Sequence, residues 1–182
     1  MSLCGIDEAG RGPIAGDLVM AGCILTKDID GLTDSKKLTA KKREILFEKI
    51  IQSATYHIVK FSPQSIDKDG ISSCLKSGLE EILYTLKADT YLFDGNTTFG
   101  VMGLETMIKA DLKVQEVSAA SILAKVTHDR DIIAQAKLYP EYEFQNHKGY
   151  GTKKHVEMIK KYGYCEIHRR SYKLKALQNT LF

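Results

Sequence analysis

The segment that most constrains the fold of this chain is a short apolar run that ends in two adjacent acids and a glycine-rich turn. Residues 3–6 are apolar or small, Asp7-Glu8 follows at once, and Gly10-Arg11-Gly12 comes next. Adjacent carboxylates repel each other unless a cation lies between them. Glycines let a backbone approach a ligand closely and present N–H donors to it. The segment therefore predicts a strand end with a metal site beside a loop that binds a polar ligand; a turn with two solvated acids is the alternative.

Length and composition bound the class of protein. The chain has 182 residues and a net charge of +3, which fits one domain with a substantial core. No apolar run is long enough to span a bilayer, and the four cysteines lack the paired spacing of a zinc site. We expect a cytoplasmic monomer without a membrane partner.

Basic residues are concentrated in the last third of the chain. Between His147 and Lys175 only Glu157 and Glu166 oppose nine cations, which are Lys148, Lys153, Lys154, Lys160, Lys161, Arg169, Arg170, Lys173 and Lys175. A basic surface beside an acidic site indicates a polyanion that is held at one place and processed at another. A solvated helix face is the alternative.

Hydrophobic periodicity predicts an α/β fold with a mixed sheet. Strands are predicted at residues 1–7, 18–25, 56–61, 91–93 and 112–117, and helices at 39–52, 71–86, 118–136 and 152–162. Because three strands come first and strands then alternate with helices, we expect an antiparallel meander followed by parallel pairing. Thr39 is the predicted N-cap of the first helix.

Acids recur where the predicted strands end or begin. Asp94 closes the fourth strand, and Asp111 lies just before the predicted last one. A set of oxygen ligands without histidine or cysteine suits Mg²⁺ or Mn²⁺, and two such ions could assist phosphodiester hydrolysis. An ordinary Asp-Gly turn at Asp94 and a loop acid at Asp111 are the alternatives.

Motifs in a fixed order give the chain a family resemblance. They are Asp7-Glu8-Ala9-Gly10-Arg11-Gly12-Pro13, Gly31-Leu32-Thr33-Asp34-Ser35-Lys36-Lys37-Leu38, Ile66-Asp67, Phe93-Asp94-Gly95-Asn96, Lys109-Ala110-Asp111, the segment 118–126, His147-Lys148-Gly149-Tyr150-Gly151-Thr152 and His168-Arg169-Arg170-Ser171. Together they closely resemble ribonuclease HII, the bacterial type 2 ribonuclease H. The resemblance implies an RNase H-like fold, a central mixed five-stranded sheet flanked by helices, with a core at about 1–137 and a small helical substrate-binding region at about 138–182.

The resemblance also implies an activity. Such enzymes are metal-dependent endoribonucleases that hydrolyse the RNA strand of RNA–DNA hybrids. They also cut on the 5′ side of single ribonucleotides embedded in duplex DNA, leaving 3′-hydroxyl and 5′-phosphate ends, by a two-metal-ion mechanism with Mg²⁺ or Mn²⁺. The implied cellular roles are removal of misincorporated ribonucleotides and of RNA primers.

The same resemblance assigns residues to this activity. It implies that the metal-binding catalytic carboxylates are Asp7, Glu8, Asp94 and Asp111. It implies that the loop of Gly10, Arg11 and Gly12 reads the 2′-hydroxyl, and that Tyr150 packs on the following deoxyribose.

Phosphate contacts are predicted less specifically. The candidates are Ser35, Lys36, Lys37, Ser121 and Lys125, with Arg169 and Arg170 holding the duplex backbone. A turn at residues 34–35, and a shared surface face for Ser121 and Lys125, are the alternatives.

Two further groups are not predicted to bind metal. Asp129 is expected to be structural and to pair with its neighbour Arg130. The three histidines His147, His155 and His168 lack metal-ligand spacing, so structural or phosphate-contact roles are predicted for them.

Two other functions compete with the nuclease. A non-catalytic module that binds RNA–DNA hybrids is one, although four mutually repelling acids would serve no purpose in it. A phosphotransferase on the same fold is the other, but the chain has no P-loop type of glycine-rich loop.

Overall fold

The computed structural model describes residues 1–32 and 38–174 of the chain. Five strands form one mixed sheet in the order β3-β2-β1-β4-β5. Their bounds are β1 (Leu3–Ala9), β2 (Leu18–Leu25), β3 (Ala54–Phe61), β4 (Thr90–Asp94) and β5 (Glu105–Met107). The first three strands are antiparallel neighbours, whereas β4 is parallel to both β1 and β5. The predicted meander with later parallel pairing is therefore confirmed.

Helices flank the sheet and form the last third of the described chain. Their bounds are α1 (Ala40–Ser53), α2 (Pro63–Asp69), α3 (Ile71–Thr85), α4 (Gln115–Leu138), α5 (Phe144–His147) and α6 (Lys153–Tyr162), with 3₁₀ turns at Ala110–Leu112 and Pro140–Tyr142. Thr39 caps α1 as predicted, since its side chain accepts a hydrogen bond from the Lys42 N–H. None of the helices in these residues combines the length and apolarity needed to cross a bilayer.

The predicted last strand at residues 112–117 is wrong. The chain after Asp111 makes a 3₁₀ turn, in which the Lys113 and Val114 N–H groups both donate to the Ala110 carbonyl, and α4 begins at Gln115. The fifth strand is instead β5, which pairs with β4 over three residues. A strand of that length is too short for an alternating pattern to reveal it.

The two faces of the sheet bury different side chains, as strand geometry requires. Along β2, Leu18 and Met20 pack towards α3, whereas Val19, Ala21 and Cys23 pack towards α1 and α4. The alternation places one apolar cluster on each face, so the central strands β1 and β2 are covered on both sides.

Helix α4 lies unusually close to β1 because the contact is made at a glycine. A Cβ on Gly5 would lie 2.2 Å from the Val117 backbone nitrogen. Residues 117–124 of α4 are all buried, and the small side chains of Ala119, Ala120 and Ala124 pack against the sheet. The close approach brings the middle of α4 beside the carboxyl end of β1.

The C-terminal segment is joined to the loop between β1 and β2. Ile14 donates to the Gly149 carbonyl, Gly16 donates to the Ile167 carbonyl, and Arg169 donates to the Ile14 carbonyl, at 2.9, 2.8 and 2.8 Å. A third apolar cluster brings Ile14 of this loop together with Ile132 of α4 and Phe144 of α5. The loop that follows the acidic strand end is therefore supported by residues far away in sequence.

Replacing Gly5 by alanine should separate α4 from β1. Because the added methyl group would overlap the α4 backbone, we expect Gly5→Ala to lower the free energy of unfolding by about 3 kcal/mol, measured by urea denaturation. Gly151→Ala is the matched control, since its Cβ would meet Ile14 at an ordinary 3.5 Å. Equal stability of the two variants would contradict the close packing.

Candidate active site

Three carboxylates meet at one edge of the sheet. Asp7 lies near the end of β1 and Asp94 ends β4, and the parallel pairing of Ile6 with Phe93 brings both acids to the same edge. Asp111 joins them from the 3₁₀ turn after β5. One oxygen from each of the three lies within 4.8 Å of the others. Asp7 and Asp111 are 9% and 5% exposed, so the negative charge is concentrated in a poorly solvated place.

The electrostatics of this cluster favour a cation. Burial raises the pKa of Asp7 well above its usual range, and the charge of Glu8 adds to the effect although the Ser121 hydroxyl donates to Asp7. Burial also raises the pKa of Glu8, against the opposing charge of Arg11 at 3.6 Å. Glu8 Oε2 is buried and has no hydrogen-bond partner among the described residues. Carboxylates of this kind fit a hard divalent ion, which would supply the missing positive charge.

A groove of about 440 Å³ opens beside the carboxylates and collects most of the predicted site residues. Its lining residues are Asp7, Glu8, Ala9, Gly10, Arg11, Gly12, Asp94, Ser121, Lys125 and Tyr150. Asp111 contributes to the carboxylate cluster from outside this set. The acidic edge, the glycine-rich loop and the exposed tyrosine thus form one continuous concave surface.

The glycine-rich loop adopts a backbone conformation that requires glycine at position 10. Gly10 has φ +84°, and a Cβ there would lie 2.4 Å from the Asp17 carbonyl oxygen and 2.6 Å from the His128 ring. Only glycine fits this position without strain. The Tyr150 ring lies 3.6 Å from where a Cβ would stand on Gly12, so ring and loop are adjacent walls of the groove.

A chain of hydrogen bonds between neutral imidazoles supports Tyr150 from behind. His155 Nδ1 lies 2.9 Å from the Tyr150 carbonyl oxygen, to which it can only donate, so its Nε2 is an acceptor. His168 Nε2, 3.0 Å away, is then the donor, and His168 Nδ1 accepts from the Cys165 N–H at 2.9 Å. His147 stacks on His155 with ring centroids 4.2 Å apart. Of the two roles predicted for these histidines, the structural one agrees with this arrangement, since all three rings are buried.

The predicted phosphate contacts differ in where they lie. Ser121 lines the groove but is only 5% exposed, and its hydroxyl bonds Asp7. Lys125 lines the groove and pairs with Asp129 at 2.9 Å. The Arg170 residue is exposed, and its backbone N–H donates to Asp67. Ser35, Lys36 and Lys37 lie outside the described residues.

Two expectations need correction. Arg169 was expected to hold the duplex backbone, but it is 1% exposed and its guanidinium donates to backbone carbonyls of the loop between β1 and β2. Asp129 was expected to pair with Arg130, but Arg130 binds Glu44 and Glu48 on α1. Both errors arise because residue type and spacing do not reveal which side of a helix or loop is buried.

Some contacts at the site have no signal in the sequence. The His128 ring packs against Gly10 from a position far along α4, and the Arg11 guanidinium lies 5.8 Å from the centre of the Phe99 ring. Tyr172 donates to the Arg11 carbonyl at 2.8 Å. These partners are distant in the chain, and no short motif connects them.

The chain is similar to ribonucleases of one family both in sequence and in structure. Residues 4–175 match the family described as Ribonuclease HII. A relative named Ribonuclease HII from Sulfurovum sp. is 62% identical over 181 residues, which cover 99% of this chain and 96% of that protein. The solved ribonuclease H2 of Pyrococcus horikoshii OT3 is 30% identical, with a TM-score of 0.81 over 98% of this chain and 96% of that one. The RNase HII of Archaeoglobus fulgidus, solved as a complex with PCNA, is 29% identical, with a TM-score of 0.83 over 96% of both chains.

The buried imidazoles should remain neutral in mild acid. Burial lowers the pKa of both His155 and His168 to about 4, from 6.5. Because the unfolded chain binds more protons below 6.5, their contribution to stability is complete above that pH and is lost as the pH falls towards about 4. Nitrogen-15 spectra of the imidazoles should show Nδ1–H in His155 and Nε2–H in His168 in the upper part of this window, where both rings are neutral. Imidazolium signals from either ring near the upper end of the window would contradict the arrangement.

Proposed function

The chain belongs to the ribonuclease HII family, whose members are type 2 ribonucleases H, and from this premise we propose how its own residues recognise and cut their substrate. The proposed substrates are RNA–DNA hybrids and duplex DNA that carries single ribonucleotides. The proposed cut lies on the 5′ side of the ribonucleotide and leaves 3′-hydroxyl and 5′-phosphate ends. The observation that carries the proposal is the meeting of Asp7, Asp94 and Asp111 at the edge of a groove that the glycine-rich loop also lines.

The carboxylates would hold two divalent ions, Mg²⁺ or Mn²⁺. The three clustered oxygens, the raised pKa values of Asp7 and Glu8 and the unpartnered Glu8 oxygen all fit that charge. When bound, such ions supply a nucleophilic water and stabilise the attacking and leaving oxygens of a phosphodiester. The side chains themselves fix the positions of the ligand oxygens, with Ser121 orienting Asp7 and the Ala110 N–H orienting Asp94 at 3.3 Å.

Recognition would take place at the opposite wall of the groove. The backbone of Gly10, Arg11 and Gly12 can bind a 2′-hydroxyl without contacting a base, so cleavage should tolerate any sequence. The Tyr150 residue is 46% exposed and can pack on the next sugar. Lys125 and Arg170 are the described candidates for phosphate contacts, and residues from about 138 onwards would form the substrate-binding region. A cytoplasmic location and a monomeric state remain predictions.

Removing one carboxylate should stop cleavage and leave binding intact. With a duplex that carries one ribonucleotide, we expect a cut with Mg²⁺ or Mn²⁺ and none with EDTA. We expect Asp7→Asn to lower the rate at least ~10³-fold, the loss of several kcal/mol of metal-ion stabilisation. Binding should change little, because phosphate contacts lie elsewhere.

The control for this experiment is Asp28→Asn, which removes a carboxylate at an exposed position outside the groove. Its rate should equal that of the unaltered protein. Normal turnover by Asp7→Asn would contradict the assignment of the carboxylates. Binding of both substrates without any metal-dependent cut would instead favour a hybrid-binding module.

Removing the tyrosine ring should affect a single ribonucleotide more than a hybrid. A hybrid offers a 2′-hydroxyl at every nucleotide of its RNA strand, whereas an embedded ribonucleotide has one junction for the ring to contact. We expect Tyr150→Ala to lower kcat/KM about tenfold more on the embedded ribonucleotide, the value of one stacking contact. Tyr150→Phe keeps the ring and should behave as the unaltered protein. Equal losses on both substrates would contradict the junction role.

A further inference from the structure

The guanidinium of Arg169 is the most completely buried cation in the described chain, and no carboxylate there contacts it, although the charges of Asp17 and Asp67 act on it from a distance. The residue is 1% exposed, and among the residues described no Asp or Glu oxygen lies within 4.0 Å of it. A buried charge without a counter-ion is costly unless every donor is satisfied. Its five N–H groups therefore need to be accounted for one by one.

Every one of these donors is used, and four of the five bonds end on backbone carbonyls. Nε and Nη2 donate to the Gly16 oxygen at 2.9 and 2.8 Å, and Nη2 also donates to the Gly10 oxygen at 2.6 Å. Nη1 donates to the Arg11 oxygen at 3.3 Å and to the Tyr172 hydroxyl at 3.1 Å. Tyr172 itself donates to the Arg11 oxygen at 2.8 Å. The bonds thus converge on the glycine-rich loop.

These bonds fix the direction in which the loop presents its N–H groups. In a trans peptide the C=O and the following N–H point in opposite directions. With the Gly10 and Arg11 carbonyls held towards the guanidinium, the N–H groups of Arg11 and Gly12 must point away from it. Within the described residues, neither N–H has a hydrogen-bond partner in the protein. Both residues line the groove, so two oriented donors are left for a ligand there.

We propose that Arg169 is a positioning residue for ribonucleotide recognition, which holds the peptides 10–11 and 11–12 so that their N–H groups meet the 2′-hydroxyl oxygen. The proposal rests on the function proposed above and adds the residue on which its specificity depends. Arg169 does not touch substrate, since the loop lies between them. Lysine cannot replace it, because one ammonium group cannot satisfy carbonyls at Gly10, Arg11 and Gly16 in the geometry of a planar guanidinium.

The test couples a change in the enzyme to a change in the substrate. Wild-type protein and Arg169→Lys are each assayed on a duplex with one ribonucleotide and on the same duplex with a 2′-fluoro sugar, which is a poor hydrogen-bond acceptor and cannot donate. Comparing the four kcat/KM values isolates the interaction between residue and hydroxyl. A loss of folded protein lowers both values of a variant equally and leaves their ratio unchanged.

We expect the fluoro substitution to lower kcat/KM of the wild-type protein about tenfold, the value of one hydrogen bond to a hydroxyl. In Arg169→Lys the activity on the ribonucleotide should fall, and the fluoro penalty should shrink to about twofold. Arg130→Lys is the matched control, since Arg130 pairs with Glu44 and Glu48 on the outer face of α4, away from the groove. It should keep the full penalty.

Tyr172→Phe covers the case in which Arg169→Lys does not fold. This variant removes only the hydroxyl that bonds the Arg11 carbonyl and Arg169. The fluoro penalty should shrink by about half, since the Arg11 carbonyl then keeps only its longer bond from Arg169, at 3.3 Å, while the Gly10 carbonyl keeps its bond at 2.6 Å. An unchanged penalty in folded Arg169→Lys, or in Tyr172→Phe where the lysine variant does not fold, would overturn the proposal. No penalty in the wild-type protein would instead show that the loop does not read the hydroxyl, which is a failure of the proposed function itself.

Discussion

The direct packing of α4 on the backbone of β1 is the contact on which the rest of the site depends. Gly5 allows the two elements to approach until the Val117 nitrogen occupies the space of a side chain. The same approach carries Ser121 to Asp7, two residues farther along β1 on the same face, and sets His128 against Gly10. A bulkier residue at Gly5 would move all three contacts together, because α4 is one continuous helix.

The buried carboxylates around Asp7 and the buried Arg169 guanidinium differ in how many hydrogen-bond partners the protein gives them. The carboxylates around Asp7 are close together and poorly solvated, and burial raises the pKa values of Asp7 and Glu8 despite the charge of Arg11 beside Glu8. Arg169 lies nearby without a carboxylate, yet its donors are all used on carbonyls and one hydroxyl. The acids can therefore bind a positively charged ligand, whereas the guanidinium already has a hydrogen-bond partner within the protein for every donor. This difference separates the residues that would bind an ion from the residue that shapes the loop.

Local patterns in the sequence predicted what is determined locally. The N-cap at Thr39, the amphipathic α3 and the acids at the ends of β1 and β4 each depend on a few neighbouring residues, and each was found. The strand β5 was missed because three residues are too few to show a period. The segment 112–117 was misassigned because its chain passes from a 3₁₀ turn into the start of α4. The role of Arg169 could not be predicted, because its partners are mostly backbone carbonyls. Every residue has such a carbonyl, so no residue type in the sequence marks them.

The C-terminal segment around His168 and Arg169 supports both walls of the groove. Arg169 holds the glycine-rich loop, and its neighbour His168 leads through His155 to the Tyr150 carbonyl. The two walls that would read a ribonucleotide and the following sugar are thus anchored to adjacent residues of one short segment. Asp67 fixes that segment in turn by accepting from the backbone N–H groups of Arg170 and Ser171. Because both walls are bonded to this segment, a displacement of the segment would move the glycine-rich loop and Tyr150 together.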